Sequence, residues 1–466
     1  MYDDTIAAIA TPPGEGGIGI IRLSGPESAH IASRLFRRGV HGRRVDVSTL
    51  DSHRLFYGSI VDPEDGSTID EVMLVRMASP HSYTREAVVE IHCHGGPLPV
   101  KRVLELSVAA GARLAGPGEF TLRAFLNGRI DLAQAEAVMA VVSARTSESL
   151  TLAVDELRGS LTHRLGPARD TLIRTLAYLD ASADFPEDEI HGVDVVASLH
   201  AAECALAQVL AASNLGRLYH EGVQIAIVGR PNVGKSSLMN ALLRHERAIV
   251  TPIAGTTRDV ITETINLNGI PATLLDTAGI GNTKDVIEQM GIDRSRRAID
   301  AAALALFVVD GSQPATADDL AVAHLLADRL DRDGAGRVVV TINKRDLPHQ
   351  EAHAALRAEL PGCPAVELST VNGTGIDTLE ATLFELASSL AGEAREPATV
   401  SLRQREALRS ALTSLHAALS AAHDGLPNDL IAIDVRDALM LIGEITGEHI
   451  SERVLDEIFS TFCIGK

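Results

Sequence analysis

Residues 223–236 read VQIAIVGRPNVGKS, an apolar run that ends in the pattern GxxxxGKS between Gly229 and Ser236. The apolar run predicts a buried strand, and a helix is expected to follow the loop. Glycines allow a loop whose backbone amides all point inwards, and the N-terminus of the next helix adds a dipole that favours anions. This stretch therefore predicts a phosphate-binding loop, with Lys235 against the β and γ phosphates and the Ser236 hydroxyl on Mg²⁺.

A second motif, DTAG, follows the apolar run ATLL and consists of Asp276, Thr277, Ala278 and Gly279. A carboxylate at the end of a strand can hold Mg²⁺ through water. Glycine lets a backbone amide approach the γ phosphate without a side-chain clash. The motif therefore predicts a second wall of the same phosphate site.

A third motif, NKRD, follows the apolar run VVVTI and consists of Asn343, Lys344, Arg345 and Asp346. The Asp346 carboxylate is a pair of acceptors, and guanine offers two adjacent donors where adenine cannot. Such a site should disfavour adenine by up to ~10⁴, because the carboxylate would be left unpaired. Each motif alone could be an ordinary turn, but the three in this order predict a site for GTP.

The segment between the first two motifs contains Thr256 and Thr257 in a loop with Gly255, which predicts a switch in which one threonine meets Mg²⁺ and the γ phosphate. Many GTPases place glutamine directly after DTAG, but here Ile280 stands there. Another residue must position the attacking water, and the carboxylate of Glu288 is the candidate. The alternative is that Glu288 is a solvated acid on the helix that follows.

The order of sequence patterns predicts about three domains for 466 residues. Residues 1–118 predict a small α+β domain from the strands IGIIRL, EVMLVRM and VVEIHCH and a following helix. Residues 119–220 and 386–466 have apolar residues at helical spacing, with Pro167 expected to kink or divide the first run. Residues 221–385 alternate strands and helices, which favours a mostly parallel α/β sheet. The prediction is an all-α domain interrupted by an α/β P-loop GTPase domain of Ras-like type.

The composition limits the possible partners and compartments. Lys and Arg total 42 against 62 Asp and Glu, so the net charge of -20 requires any nucleic-acid contact to use a local patch. The four cysteines are scattered without CxxC, which argues against a disulfide framework or zinc ribbon and favours a reducing cytoplasm. No secretory signal and no apolar run of roughly 18 residues are evident, so no membrane span is expected.

Two weaker signals near the N-terminus are rejected. Gly14, Gly16 and Gly19 spell GxGxxG, but a dinucleotide fingerprint needs a following helix and IGIIRL predicts a strand. His92 and His94 alternate on one strand face, which supplies too few ligands for a metal site.

Three strings outside the nucleotide motifs are TPPGEGGIGIIRLSG at 11–25, GPGEFTLRAFLNGRIDLAQAEAV at 116–138 and FCIGK at 462–466. Together with GRPNVGKSSLMNAL, AGTTRDV, DTAG and NKRD, they make the chain resemble the MnmE (TrmE) family of tRNA uridine-modification GTPases from residue 5 to 466. GTPases at large share only the central motifs, so the terminal strings carry the family specificity.

The resemblance implies an N-terminal folate-binding domain that forms a homodimer, a helical domain, and a GTPase domain inserted in it. It also implies an activity on tRNA in a heterotetramer or larger complex with the FAD-containing partner MnmG. The complex adds a carboxymethylaminomethyl or aminomethyl group to carbon 5 of the wobble uridine of certain tRNAs. The one-carbon unit comes from 5-formyl- or methylene-tetrahydrofolate.

The resemblance places folate contacts at Arg22, Glu90, Arg129 and Lys466, and it makes Cys463 a candidate participant in the modification. Folate carries carboxylates, which suit the guanidinium forks of the two arginines. The plainer interpretations of Cys463 are a docked helix end or a frayed tail.

The resemblance also assigns metal ligands, with Mg²⁺ on Ser236 and Thr257 and Glu288 as general base. The K⁺ ligands would be Asn232, Thr251, Ile253 and Thr256. The cation would take the place of the arginine finger used by other GTPases. The expected nucleotide contacts are Asn232, Val233, Gly234, Lys235, Ser236, Ser237, Thr251, Pro252, Ile253, Ala254, Gly255, Thr256, Thr257, Asp276, Thr277, Ala278, Gly279, Asn343, Lys344, Arg345 and Asp346.

Two positions depart from the family pattern. Arg85 stands in SYTREA where the family usually has glycine, which bears on the loop near Glu90. Thr370 replaces an alanine in the turn behind the guanine, where its backbone amide can still serve.

Two other functions compete with tRNA modification. The central motifs also suit a regulatory or ribosome-assembly GTPase, a switch without chemistry of its own. A folate-storage or scaffold protein with a decayed GTPase is disfavoured because every phosphate-contacting position is intact.

Overall fold

The computed structural model describes residues 3–184, 192–245, 262–276, 298–333, 337–348, 354–391 and 396–466. The chain divides into two compact units, Met1–Met139 with Met440–Lys466, and Ala140–Leu439. The three domain boundaries expected from the sequence stay predictions.

The described helices alternate with strands in the first and central parts of the chain and follow one another elsewhere. They are α1 (Ser28–Leu35), α2 (Pro97–Ala109), α3 (Glu119–Leu126), α4 (Leu132–Ser143), α5 (Ser147–Leu157), α6 (Ser160–Asp184), α7 (Val195–Glu221), α8 (Lys235–His245), α9 (Ala317–Asp333), α10 (Ala354–Glu359), α11 (Ile376–Ser389), α12 (Leu402–His423), α13 (Asn428–Thr446) and α14 (Glu452–Ser460). A short 3₁₀ turn covers Val47–Thr49.

The first unit contains an eight-stranded sheet. Its strands are β1 (Ile6–Ile9), β2 (Gly16–Ser24), β3 (Phe36–Arg38), β4 (Arg43–Arg44), β5 (Leu55–Val61), β6 (Thr68–Met77), β7 (Val88–Gly95) and β8 (Arg113–Leu114). They lie in the order β4-β3-β5-β6-β7-β2-β1-β8, antiparallel except for the parallel pair β1 and β8. The three predicted strands are confirmed as β2, β6 and β7, and the predicted helix as α2. Gly16 and Gly19 of the GxGxxG string lie within β2, so the predicted strand stands where the fingerprint would need a helix.

The second unit contains a six-stranded sheet. Its strands are β9 (Val223–Val228), β10 (Thr262–Leu267), β11 (Ile270–Asp276), β12 (Leu304–Asp310), β13 (Val338–Asn343) and β14 (Ala365–Glu367). The order is β10-β11-β9-β12-β13-β14, and only β10 and β11 pair antiparallel. Every residue of β12 and β13 is buried, as in parallel sheets covered on both faces. The predicted α/β alternation is confirmed, and it brings the carboxyl ends of β9, β12 and β13 to one edge.

The helical part of the second unit packs α7 against α6 and α12. The prediction that Pro167 divides this region is wrong, because α6 continues through it. A proline removes one backbone donor, and the remaining turns of a 25-residue helix keep theirs. The break lies instead between α5 and α6, where Gly159 has a φ of +90° that favours glycine.

One described helix, α7, is long and apolar enough to cross a membrane by length and composition alone. The expectation that no apolar run reaches that length therefore needs correction. Its buried residues include Leu199, Leu206 and Val209, and it packs on α6 and α12. The core helices of soluble proteins share this length and apolar composition.

Candidate functional site

The loop of residues 229–236 joins β9 to α8, as the sequence predicts. Gly229 and Gly234 have φ of +149° and +102°, and a Cβ at either position would collide with neighbouring atoms. Lys235 Nζ donates to the carbonyl oxygens of Gly229 and Arg230 at 2.7 and 2.9 Å, so the ammonium lies across the loop. The backbone here forms the concave cradle that a phosphate chain requires.

The NKRD segment is bonded directly to this loop. Asn343, which is 1% exposed, donates from Nδ2 to the Val233 carbonyl at 3.0 Å. Lys344 Nζ donates to the Asn232 carbonyl at 3.1 Å, and Lys344 holds a φ of +67°. The motif that would read the base and the motif that would hold the phosphates are therefore one hydrogen-bonded assembly.

The two motifs enclose a cavity of about 650 Å³. Eight of the residues expected to contact the nucleotide line this cavity, namely Asn232, Gly234, Lys235, Ser236, Ser237, Asn343, Lys344 and Asp346. Arg345 is not among the lining residues, and its Nε lies 3.1 Å from Glu367 Oε2 in an exposed pair. A cavity of this size lined by polar loops suits a nucleotide.

Asp346, the residue predicted to read the base, lines the cavity. The Ser369 hydroxyl donates to Asp346 Oδ1 at 2.5 Å, which orients the carboxylate. The backbone amide of Thr370 donates to Asn343 Oδ1 at 3.3 Å, and Thr370 lines the cavity. The departure at Thr370 thus leaves its amide inside the predicted base site.

A further carboxylate, Asp310 at the end of β12, contacts one residue of each motif, Lys344 and Arg230. Its side chain is 3% exposed, and Oδ2 lies 2.6 Å from Lys344 Nζ and 4.0 Å from an Arg230 guanidinium nitrogen. Oδ1 accepts from the amide and hydroxyl of Ser312 at 3.0 and 2.6 Å. Burial opposes the charge, but the hydrogen bonds from Lys344 and Ser312 outweigh it and lower the pKa of Asp310. Asp310 therefore fixes Lys344 as an ion pair.

We expect Asp310→Asn to weaken the binding of GDP and GTP by roughly tenfold, because Lys344 loses a charge-assisted hydrogen bond. The amide oxygen of asparagine can still accept from Ser312, so the loop itself should persist. Equilibrium titration with a fluorescent guanine nucleotide measures the effect. Asp318→Asn is the control, since Asp318 is an exposed acid in the first turn of α9. Equal affinities for both variants would contradict the role of Asp310.

Several predicted site residues lie outside the described part of the chain. They are Thr251, Pro252, Ile253, Ala254, Gly255, Thr256, Thr257, Thr277, Ala278, Gly279 and Glu288. The backbone of Asp276 is described, and it pairs with Ile227 of β9 at the same sheet edge as the phosphate loop. Of the expected metal ligands, Asn232 and Ser236 are described, and both line the cavity.

The first unit brings two of the predicted folate residues, Arg22 and Arg129, to one aromatic ring. Arg22 on β2 pairs with Glu90 on β7, with 2.8 Å between Nε and Oε1. The Arg22 guanidinium lies 5.7 Å from the centre of the Tyr83 ring, and that of Arg129 lies 4.7 Å from it. Arg129 also donates to the Tyr83 carbonyl at 2.9 Å, and the Tyr83 hydroxyl lies 2.9 Å from Thr121 Oγ1. Tyr83 is thus the shared partner of both arginines.

The Glu90 carboxylate remains charged in a half-buried position. Burial opposes ionisation, but the hydrogen bond with His92 and the charge of Arg22 outweigh it and lower the pKa of Glu90. Its side chain is 14% exposed. A half-buried carboxylate of this kind can accept hydrogen bonds from a polar ring system.

The C-terminal tail docks on the same unit. Ile464 forms an antiparallel bridge with Pro117, and the Lys466 carbonyl accepts from the Phe120 amide at 3.2 Å. Arg22 Nη1 donates to the Gly465 carbonyl at 3.5 Å, and the thiol of Cys463 is exposed. The tail thus places Cys463 and Lys466 in the chain segment next to Arg22.

Two residues of these sites were missed by the sequence interpretation. Asp310 ends an apolar strand, and an acid at the carboxyl end of a parallel strand is a detectable signal. Tyr83 lies in the string SYTREA without any local signal, because its partners Arg22 and Arg129 are distant in sequence. His92 and His94 were not expected to bind a metal, and they pair with the carboxylates of Glu90 and Asp70.

Two family models match the chain. The model described as "GTP-binding protein TrmE N-terminus" matches residues 5–129. The model described as "MnmE helical domain" matches residues 132–463, which is more than half of the chain.

Relatives match over the whole length of the chain. A protein of Chloroflexus aurantiacus named "tRNA modification GTPase MnmE" is 48% identical over 475 residues, covering 100% of both chains. Proteins of the same name from Moorella thermoacetica and Acetivibrio thermocellus are 48% and 43% identical, again over 100% of both chains.

Two solved structures of GTP-binding proteins each match a part of the chain. The G domain of the T. maritima FeoB iron transporter is 27% identical and covers 35% of this chain, with a TM-score of 0.26. Era of Aquifex aeolicus bound to GDP and AlF₄⁻ is 27% identical and covers 41%, with a TM-score of 0.27. These scores are too low to carry an argument about the fold.

Proposed function

The chain belongs to the MnmE family of tRNA modification GTPases, and from this premise we propose that it modifies the wobble uridine of certain tRNAs together with the FAD-containing protein MnmG. The group added to carbon 5 is carboxymethylaminomethyl or aminomethyl, with its one-carbon unit taken from 5-formyl- or methylene-tetrahydrofolate. The observation that carries the proposal is the full-length match to relatives named for this activity, at 48% identity.

GTP hydrolysis uses the cavity between the phosphate loop and the NKRD segment. Lys235 neutralises the β and γ phosphates, and Asp346 reads guanine. Ser236 and Thr257 would hold Mg²⁺. Asn232, Thr251, Ile253 and Thr256 would hold K⁺, which would supply positive charge where negative charge develops during hydrolysis. Glu288 acts as general base, and hydrolysis drives a conformational cycle through transient pairing of G domains.

The carbon chemistry uses the first unit. Arg22, Glu90, Arg129 and Lys466 contact folate, and Cys463 takes part in the modification. The Arg22–Glu90 pair and the two arginines around Tyr83 support this assignment, because they combine a carboxylate for a polar ring with guanidinium groups for carboxylates. The docked tail supports a role for Cys463, since it holds an exposed thiol in the segment next to Arg22.

The assembly and the domain plan follow from the same premise. The chain forms a homodimer through its N-terminal folate-binding domain at 1–118, and it joins MnmG in a heterotetramer or larger complex. The helical domain comprises 119–220 and 386–466, with the GTPase domain at 221–385 inserted between them. The complex acts on tRNA in the cytoplasm.

The decisive experiment is mass spectrometry of tRNA nucleosides from cells that lack this gene and from cells rescued with variants of it. We expect the 5-substituted wobble uridine to disappear in the deletion and to return with the native chain. Cys463→Ser should fail to restore it, whereas Cys204→Ser, a change at another exposed cysteine, should restore it.

An unchanged nucleoside profile in the deletion strain would contradict the modification function and favour a regulatory or ribosome-assembly GTPase. Full rescue by Cys463→Ser would leave the modification function standing and remove the role of the thiol.

A further inference from the structure

A second cavity of the first unit, of about 510 Å³, opens beside the Tyr83 cluster. Four of the side chains that line it are basic, His53, His81, Arg85 and Arg129, and none is acidic. We call this cavity the basic pocket. All four basic residues are exposed, so the pocket presents donors to solvent.

The positive charge of the basic pocket is not neutralised within the described chain. Arg85 and Arg129 donate to the carbonyl oxygens of Asn127 and Tyr83 at 3.0 and 2.9 Å, and His53 Nδ1 lies 2.8 Å from Ser52 Oγ. No described carboxylate lies within ion-pair distance of these side chains or of His81. In a chain with a net charge of -20, two unpaired arginines with two histidines favour an anionic ligand.

The backbone around the basic pocket is held in an unfavourable conformation. Arg85 and His53 have φ of +60° and +62°, in the left-handed region that favours glycine. Such a position costs roughly 1–2 kcal/mol for a residue with a side chain. A glycine at position 85 would avoid this cost, and within the described chain the Arg85 guanidinium donates only to the Asn127 carbonyl.

The basic pocket continues directly from the folate residues. Tyr83 and Arg129 line it, and the Tyr83 ring also has the Arg22 guanidinium within 5.7 Å of its centre, with Arg22 paired to Glu90. Glu90 is half-buried whereas Arg129 and Arg85 are exposed. A ligand that contacts both Glu90 and Arg129 would therefore have its more exposed end nearer the basic side chains.

We propose that the basic pocket binds the γ-linked oligoglutamate tail of a reduced folate, a proposal that rests on the folate function given above. Each additional glutamate brings one α-carboxylate, and carboxylates in sequence suit guanidinium and imidazole donors spaced around a cavity. The chain thus prefers the polyglutamylated form of its one-carbon donor. Arg85 and His81 provide contacts for the tail beyond Arg129.

The test is calorimetric titration of the full-length protein with 5-formyltetrahydrofolate as the monoglutamate and as the triglutamate. We expect the triglutamate to bind about tenfold more tightly, with a difference that shrinks as salt screens the charges. In His81→Ala with Arg85→Gly the advantage of the triglutamate should disappear. Glycine suits the backbone of residue 85, so this variant should fold. The control is Lys101→Ala, which removes a similarly exposed cation on α2 and should keep the advantage.

Two outcomes separate this proposal from the folate function. Equal affinities for the two ligands in the native chain would overturn the tail site and leave the folate function intact. No binding of either ligand would overturn both. A double variant that keeps the triglutamate advantage but loses affinity for tRNA would also overturn the proposal, since the basic pocket would then serve RNA phosphates.

Discussion

Asp346→Asn should change the preferred nucleotide of this GTPase from GTP to XTP. In its proposed role the carboxylate of Asp346 accepts from two adjacent donors of guanine, whereas asparagine offers one acceptor and one donor. Xanthine carries an oxygen where guanine carries its amino group, so it matches asparagine. We expect the GTP over XTP selectivity to fall by roughly 10⁴-fold, the scale found when a site built for hydrogen bonding meets the wrong partner.

The structure indicates that this substitution changes the base contact and leaves the neighbouring contacts in place. The Ser369 hydroxyl that donates to Asp346 Oδ1 can donate equally to the oxygen of an asparagine. Lys235 and Ser236 are unchanged, so XTP hydrolysis should continue at a similar rate. Competition binding with GTP and XTP measures the selectivity, and Glu367→Gln removes a nearby negative charge outside the cavity as control. Unaltered GTP selectivity in Asp346→Asn would show that Asp346 does not read the base.

Arg123→Leu should destabilise the first unit by about 3–5 kcal/mol, the cost of removing one partner of a buried ion network. The Arg123 side chain is 0% exposed, and its nitrogens lie 2.7 Å from Asp4, 3.0 Å from Glu119 and 3.3 Å from Glu86. Leucine fills part of the volume but leaves carboxylates with fewer partners. These contacts tie α3 to the segment before β1, so both should loosen.

Native-state hydrogen exchange of the β1, β2 and β7 amides measures this loss in the full-length chain. Arg54→Ala is the matched control, because its pair with Asp51 is exposed and such pairs contribute less than about 1 kcal/mol. If both variants exchange alike, the network does not stabilise the unit.

The same network predicts how the loss of stability in Arg123→Leu depends on pH. Burial opposes ionisation of Glu119, but the hydrogen bonds from Arg113, the Gly116 amide and Arg123 outweigh it and lower its pKa. A lowered carboxyl pKa contributes stability above its unfolded value, and that stability is lost as the pH falls through the folded value. The difference in the free energy of unfolding of the first unit between the native chain and Arg123→Leu should therefore become smaller as the pH falls.

Much of the nucleotide site could be predicted because its signals are local. A phosphate loop needs glycines, a lysine and a hydroxyl within eight consecutive residues, and the apolar runs on either side show where the strands end. That the phosphate loop and the NKRD segment belong to one site requires only a parallel sheet, because the carboxyl ends of its strands share one edge.

Other features depend on contacts that no local pattern records. Pro167 lies within α6, because the remaining turns of the helix keep their hydrogen bonds. Tyr83 contacts both Arg22 and Arg129 only after the β2 to β7 sheet, the loop at 83 and the end of α3 have packed. Asp310 contacts Lys344 because β12 and β13 are neighbours.

The sequence by itself determined the family and the α/β order of the GTPase part, and it predicted the residues proposed to read guanine, since each of these features depends on short stretches of consecutive residues. Only the tertiary structure decided which charged side chains form ion pairs and which have no described carboxylate within ion-pair distance. The Arg123 network is closed by carboxylates from separate segments, whereas Arg85 and Arg129 face a cavity without one. Pairing depends on distances of a few ångströms between residues far apart in sequence, and the fold sets those distances.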